Sequence, residues 1–190
     1  MDIMNIVKQT LFANNGISDG LRSNIYELVM ILHTKFPDVD LSNLCNRLKT
    51  LQIKKLNKFI NNNVSMYSNV ENILYLNEEK LSGDYDAKHV LMYEILNIAS
   101  STDNKRGFVQ DGRFEALNVG YTEIMANYLV GNESDKAMYP EQAIETNLIS
   151  IIIGNDVLKK AYFTNDTELL IKGFNDAGVQ VWWTFLTQLI

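Results

Sequence analysis

The stretch AKHVLMYEILNIAS, residues 87–100, decides the architecture of this 190-residue chain. A helical projection of it is apolar on nearly every side, through Val90, Leu91, Met92, Ile95, Leu96, Ile98 and Ala99. Such a helix belongs in the middle of a domain, because no side of it gains from contact with water. We therefore predict a central helix that follows a cap at Asp84 or Asp86 and ends near Ser100.

Glu94 is the one acidic residue within this apolar helix. Burying a carboxylate without a partner is costly, so Glu94 must have a partner, reach a cavity or have a raised pKa. If it has a partner, the candidates are Arg106, Arg113, His89 and Tyr121.

Helical spacing of apolar residues on the N-terminal side predicts a helix over residues 21–36, which Pro37 ends. A second helix is predicted over 41–60, with Asp40 or Ser42 as its cap and the lysines between 49 and 58 on its solvated face. Residues 14–20 are rich in Asn and Gly, which is typical of a loop. Residues 70–76 alternate weakly and predict a short strand.

On the C-terminal side the same criteria predict a second central helix over 116–130 and a helix from Pro140 to residue 153. The smaller predicted elements are a strand at 107–109, helices at 156–163 and 167–174, and a last helix in the apolar tail 179–190. The predicted fold is α+β and predominantly helical, with a small β-sheet or hairpin. We predict one domain, 1–190, with a helical part at 1–63, a core at 70–163 and C-terminal helices at 164–190.

Composition excludes several classes of function. The net charge is −6 and no Arg-rich tract is present, so neither nucleic acid nor an anionic membrane is an expected partner. Cys45 is the only cysteine, which rules out an intrachain disulfide and a Cys-based zinc site and indicates a buried small hydrophobe. The first residues lack the pattern of a signal peptide and no apolar run reaches the length of a membrane span, so we expect a cytoplasmic protein.

Residues 93–97 read Tyr-Glu-Ile-Leu-Asn. A zinc peptidase carries H-E-x-x-H on a helix, in which the two histidines bind zinc from one face and the Glu is the general base. Here the Glu is present as Glu94, but Tyr93 and Asn97 stand where the two histidines would be.

The chain from 73 to 163 resembles a family of uncharacterised zincin-like proteins of low-GC Gram-positive bacteria and their mobile elements. Members of that family read H-E-L-x-H-x-A-S, then a Gly-Phe turn, then L-N-E-G-Y-T-E and later Tyr-Phe. The corresponding segments here are YEILNIAS at 93–100, Gly107-Phe108, LNVGYTE at 117–123 and Tyr162-Phe163. The resemblance covers about half of the chain and implies a zincin-like fold.

The resemblance also implies roles for individual residues. The three metal-ligand positions are Tyr93, Asn97 and Val119, while Glu94 keeps the position of the general base. Glu123 keeps the position of an acid that orients a ligand histidine from outside the coordination sphere, and the motif residues Asn118 and Tyr121 are retained. All three ligands are replaced, so we expect no zinc, no other cofactor and no catalysis.

Three functions follow as hypotheses. The first is an inactive zincin-like pseudo-peptidase that binds a protein or peptide, with a cleft floor formed by Tyr93, Glu94, Asn97, Asn118 and Tyr121. The second is an interaction or inhibitor protein that binds through another surface, such as the N-terminal helices or the Trp182-Trp183 tail. The third is an active metal-dependent hydrolase whose site would combine His89, Glu94 and Glu123. Otherwise His89 is a hydrogen-bonded histidine at a helix start, and the sequence does not predict an oligomeric state.

Overall fold

The protein was analysed as a computed structural model, which describes residues 2–57, 63–83, 85–131 and 137–178. The elements of the N-terminal half are α1 (Ile3–Ala13), α2 (Asp19–Lys35), α3 (Ser42–Leu48), β1 (Gln52–Leu56), β2 (Ser65–Ser68), β3 (Ile73–Asn77), α4 (Glu78–Leu81) and α5 (Ala87–Ala99). Those of the C-terminal half are β4 (Lys105–Arg106), β5 (Val109–Gln110), α6 (Glu115–Val130), α7 (Pro140–Ile153), α8 (Asn155–Thr164) and α9 (Thr167–Asp176). Across these described ranges the fold is α+β and predominantly helical, as predicted.

The predicted central helix is α5. Its cap is Asp86, whose carboxylate accepts a hydrogen bond from the Lys88 N–H at 2.8 Å. Every residue from His89 to Ala99 is buried, because α2, α3, α6 and β2 pack around the helix. The alternative cap, Asp84, lies outside the described residues.

The second central helix, α6, packs against both α5 and α7. Gly120 sets the distance between α6 and α7: a Cβ atom at this position would lie 2.1 Å from the Gln142 carbonyl oxygen and 2.3 Å from Thr146 Oγ1. No side chain fits there, so glycine permits a close approach of the two backbones. Pro140 begins α7 and Gly154 follows its last residue, as predicted.

The main sheet has the strand order β1-β3-β2. The central strand β3 pairs in parallel with β1 and antiparallel with β2. The helix predicted over 41–60 is therefore wrong between residues 49 and 57, and the N-terminal part is not wholly helical; residues 58–60 of that prediction lie outside the described residues. The apolar periodicity of this segment fits a helix, but pairing of β1 with β3 satisfies its backbone in an extended form, and tertiary pairing overrides local preference.

Other predictions are corrected in detail. The strand predicted at 107–109 is a hairpin, in which Gly107 at φ +54° and Phe108 form the turn between β4 and β5. The helix α1 and the strand β2 were not predicted, and α2 begins two residues before the predicted start. Neither predicted cap of α3 is its N-cap, which is Leu41; Asp40 lies one residue earlier, and its carboxylate accepts the Ser42 N–H at 2.8 Å.

The remaining predictions on the C-terminal side agree with α6, α8 and α9. Cys45 is buried, as expected. The helix predicted in the tail 179–190 lies outside the described residues. Among the helices of the described ranges, none has both the length and the apolar character that a membrane crossing requires.

Candidate functional site

The predicted site residues lie on α5 and α6, which pack against each other in the interior. Their exposed fractions are small: 0–5% for His89, Tyr93, Glu94, Asn97, Asn118, Tyr121 and Glu123. Val119 is partly exposed. The hydrogen bonds divide these residues into three groups, around Glu94, around His89 and around Asn118.

Glu94 accepts two hydrogen bonds. Ser65 Oγ donates to Glu94 Oε1 at 2.5 Å, and Asn97 Nδ2 donates to Oε2 at 3.2 Å. Burial raises the pKa of the Glu94 carboxyl, while the hydrogen bonds from Ser65 and Asn97 and the positive charge of Arg106 oppose that rise. Each oxygen of the Glu94 carboxylate therefore accepts a hydrogen bond from a protein side chain.

Three of the four partners that the sequence suggested for Glu94 are wrong, whereas the fourth, Arg106, acts on the carboxyl through its positive charge. His89, Arg113 and Tyr121 form contacts elsewhere, and Arg106 makes an ion pair with Glu115. Ser65 is the residue that sequence reasoning missed. It lies 29 positions before Glu94 on β2, and no local pattern at residues 63–68 points to a contact at that separation.

His89 and Glu123 form a buried pair between α5 and α6. His89 Nε2 lies 2.9 Å from Glu123 Oε1, and Nδ1 lies 3.2 Å from the carbonyl oxygen of Gly131. A carbonyl only accepts, so Nδ1 carries a proton, and a second proton on Nε2 donates to the carboxylate. Burial alone would lower the pKa of His89, but its hydrogen bond and attraction to Glu123 and its contact with the Gly131 carbonyl raise it overall.

This pair also links two elements of the chain. Glu123 Oε1 accepts the Met138 N–H at 3.3 Å, while His89 binds the carbonyl of Gly131. Gly131 follows the last residue of α6, and Met138 precedes α7. The pair therefore ties the end of α6 to the start of α7. His89 is the hydrogen-bonded histidine at a helix start that the sequence suggested.

The motif residues Asn118 and Tyr121 join α6 to the hairpin and to α8. Asn118 Oδ1 accepts the Phe108 N–H at 3.1 Å, directly beside Gly107. The Tyr121 ring packs against Phe108 and Tyr162, each at 5.5 Å between ring centroids, and its hydroxyl donates to Asn155 Oδ1 at 3.1 Å. Burial raises the pKa of Tyr121. These contacts are structural, because they hold secondary elements together.

The three positions that the resemblance predicts as metal ligands offer poor donors. The Tyr93 ring contacts Tyr139 at 5.5 Å between centroids, and burial holds the pKa of the Tyr93 phenol well above its usual range. The Asn97 amide nitrogen is bonded to Glu94, while its Oδ1 is buried without a hydrogen-bond partner in the structure. Val119 has no donor atom at all.

Zinc does not fit this set of residues. A catalytic zinc needs three protein donors from His, Cys or carboxylate side chains. His89 and Glu123 bind each other, and both Glu94 oxygens accept from Ser65 and Asn97. Over the ranges that the structure describes, no three such side chains are grouped so that they could hold a metal ion.

No protein-family model, curated protein or solved structure matches the chain. The resemblance to zincin-like proteins therefore rests on the residues of 73–163 and stays a prediction.

Proposed function

We propose that this chain is a zincin-like protein without zinc and without catalysis, and that it functions by binding another protein or a peptide. The observation that carries the proposal is the state of Glu94, which is 2% exposed and hydrogen-bonded to Ser65 and Asn97. A general base has to reach the proton that it abstracts, directly or through one water molecule. A carboxylate that is buried and hydrogen-bonded to two protein side chains does not meet that requirement.

The arrangement around Glu94 supports a zincin-like origin. The helix with Glu94 and the helix with Asn118 and Glu123 pack together, and the short strand β2 lies against the first of them through Ser65. The departures from the family pattern coincide with the metal ligands, whereas the retained residues join α6 to α5, to the hairpin and to α8. The retained residues therefore contribute to the packing of these elements even in a chain without catalytic activity.

The place where a partner binds is a separate question. The cleft floor predicted from the sequence is 0–5% exposed, so a peptide would have to displace the covering residues to reach it. Binding through another surface is the second candidate within the same proposal. It is favoured by one observation, the exposed apolar residues along α7, where Ile151 is 74% exposed.

The active hydrolase stays the competing hypothesis, and metal content separates it from our proposal. Tag-free protein is purified from zinc-supplemented medium and its metal content is measured by mass spectrometry. We expect less than about a tenth of an ion per chain, because the donor set is incomplete. The proposal would be overturned by two results together. One is a near-stoichiometric metal ion that is lost in His89→Ala, and the other is peptide hydrolysis that a chelator stops.

A further inference from the structure

The two faces of α7 differ sharply in burial. Its inner face packs on α6 at Gly120, where Thr146 is 1% exposed. On the opposite face, four large aliphatic side chains are 45–74% exposed: Ile144, Leu148, Ile151 and Ile152. Their spacing of i, i+4, i+7 and i+8 aligns them in one stripe, hereafter the α7 stripe, about 12 Å long at 1.5 Å per residue. Contiguous exposed apolar groups of this kind mark interaction sites.

Acidic residues border this stripe. Glu141 and Glu145 are exposed, and helical spacing (i, i+4, i+7, i+11) places them along the same edge as Leu148 and Ile152. Within the described part of the chain neither carboxylate has an ion-pair partner. The sequence of α7, PEQAIETNLISIII, contains no Lys or Arg. The face therefore combines an apolar centre with a negatively charged edge.

We propose that the α7 stripe binds an amphipathic helix of a partner protein, with apolar residues on one side and Lys or Arg along one flank. This inference rests on the proposed binding function and names its surface. A linear stripe at helical spacing is the pattern that a second helix packs against, through its own side chains at i, i+3, i+4 and i+7. The basic flank is inferred from the edge formed by Glu141 and Glu145, because complementary charge sets the orientation and the choice of partner.

Charge separates this occupant from two others. A second copy that pairs through its own α7 would bring no basic residue from that helix, so the carboxylates of both copies would stay unpaired. The segment 179–190, VQVWWTFLTQLI, is apolar but has no charged residue, and it would also leave Glu141 and Glu145 without a partner. Of these three occupants, only a helix with a basic flank can both contact the apolar α7 stripe and pair with the carboxylates at its edge.

The test uses the full chain and a defined probe, a dye-labelled Leu/Lys peptide of about 18 residues that forms an amphipathic helix. Fluorescence anisotropy is expected to show saturable binding with a Kd of about 1–50 μM. Leu148→Asp is expected to weaken binding at least about tenfold, since a central apolar anchor is lost. Val70→Asp is the matched control, because Val70 is 82% exposed in the turn between β2 and β3 and should leave binding unchanged.

The charged edge is tested separately. The double variant Glu141→Gln/Glu145→Gln is expected to weaken binding about threefold or more and to reduce its dependence on salt. Glu168→Gln, an exposed acid on α9, is the control and should have no effect. An equally tight complex with a Leu/Glu peptide would overturn the proposal, and so would binding that Leu148→Asp does not change.

Two further results would assign the stripe to another occupant and overturn the proposal. The first is a concentration-dependent dimer in sedimentation that Leu148→Asp abolishes, which would indicate a second copy. The second is a red shift of tryptophan emission in Leu148→Asp, since the only two Trp residues, Trp182 and Trp183, lie in the segment 179–190. Such a shift would indicate that this segment covers the stripe.

Leu148 is 59% exposed, so an unchanged circular dichroism spectrum is expected and serves as the folding check. Failure of the broader binding function would appear instead as bound metal and hydrolysis.

Discussion

Two regions of the molecule reverse the usual relation between polarity and burial. One is the interface between α5 and α6, and the other is the outer face of α7. Between α5 and α6, ionisable and polar side chains are 0–5% exposed and hydrogen-bonded to one another. On α7, aliphatic side chains are up to 74% exposed. The polar motif that resembles an active site therefore lies in the interior, whereas the surface that we propose for binding is apolar. Five predictions test this contrast.

Removing His89 should have the largest effect. His89→Ala leaves the Glu123 carboxylate buried without its cationic partner, and breaking a buried pair in this way costs about 3–5 kcal/mol. Chemical denaturation measures the free energy of unfolding. The control is Lys88→Ala on the same helix, whose ion pair with Glu27 is about half-exposed and worth about 0–1 kcal/mol. Equal losses in the two variants would mean that the interior pair is not structural.

The same pair predicts a dependence on pH. The folded-state pKa of His89 is raised, so its contribution to stability is complete below its ordinary pKa of 6.5 and is lost as the pH rises through the folded value. The difference in stability between the unsubstituted chain and His89→Ala should therefore shrink toward alkaline pH. A difference that grows with pH would contradict a protonated His89.

Gly120→Ala should have the next largest effect. Its Cβ would clash with the Gln142 carbonyl and Thr146 Oγ1, so α6 and α7 must separate, at a cost of about 2–3 kcal/mol. Gly20→Ala is the matched control, because Gly20 is also helical but a Cβ there meets no atom within 4 Å. That variant should be stabilised by about 0.5–1 kcal/mol. If both variants gained stability, the close approach of α7 to α6 would be wrong.

Glu94→Gln should stabilise the protein. The amide removes a buried charge, while its oxygen accepts from Ser65 and its nitrogen can donate to the buried Asn97 Oδ1 after that amide rotates. The folded-state pKa of Glu94 is raised, so the native state loses stability as the pH rises from 4.5 through the folded value. The variant should escape this loss and be more stable than the unsubstituted chain at pH 7. Thermal unfolding at pH 4 and pH 7 measures the gain, and a destabilised variant at pH 7 would contradict the sealed-site description.

The smallest effect is expected on the outer face of α7. Ile151→Ser should change stability by less than about 0.5 kcal/mol, because Ile151 is already 74% exposed. Ile153→Ser, two residues later on the buried face at 7% exposure, should cost about 2–4 kcal/mol. Comparable losses at both positions would show that the outer face is covered in solution.

Much of the helical fold was predictable from residue patterns. The all-round apolar character of 87–100 identified α5, and Pro140 with Gly154 marked the limits of α7, because these signals are local. The segment 49–57 was not predictable, since its apolar spacing suits a helix and only pairing with β3 makes it a strand. The resemblance named residues of a candidate site, and their functional role stays a prediction. The Ser65 contact with Glu94 and the role of Gly120 could not be predicted, because they depend on packing between distant segments.

The amino-acid sequence by itself determined that the helices would be amphipathic or buried. It also determined that the positions which the resemblance predicts as zinc ligands lack suitable donors, because periodicity and side-chain chemistry are properties of the chain. Only the tertiary structure decided which groups meet. It placed Glu94 against Ser65 and Asn97 and paired His89 with Glu123. It also turned an aliphatic stripe of α7 toward solvent. The physical reason is that burial and pairing depend on which surfaces pack together, and that choice is made by the whole fold.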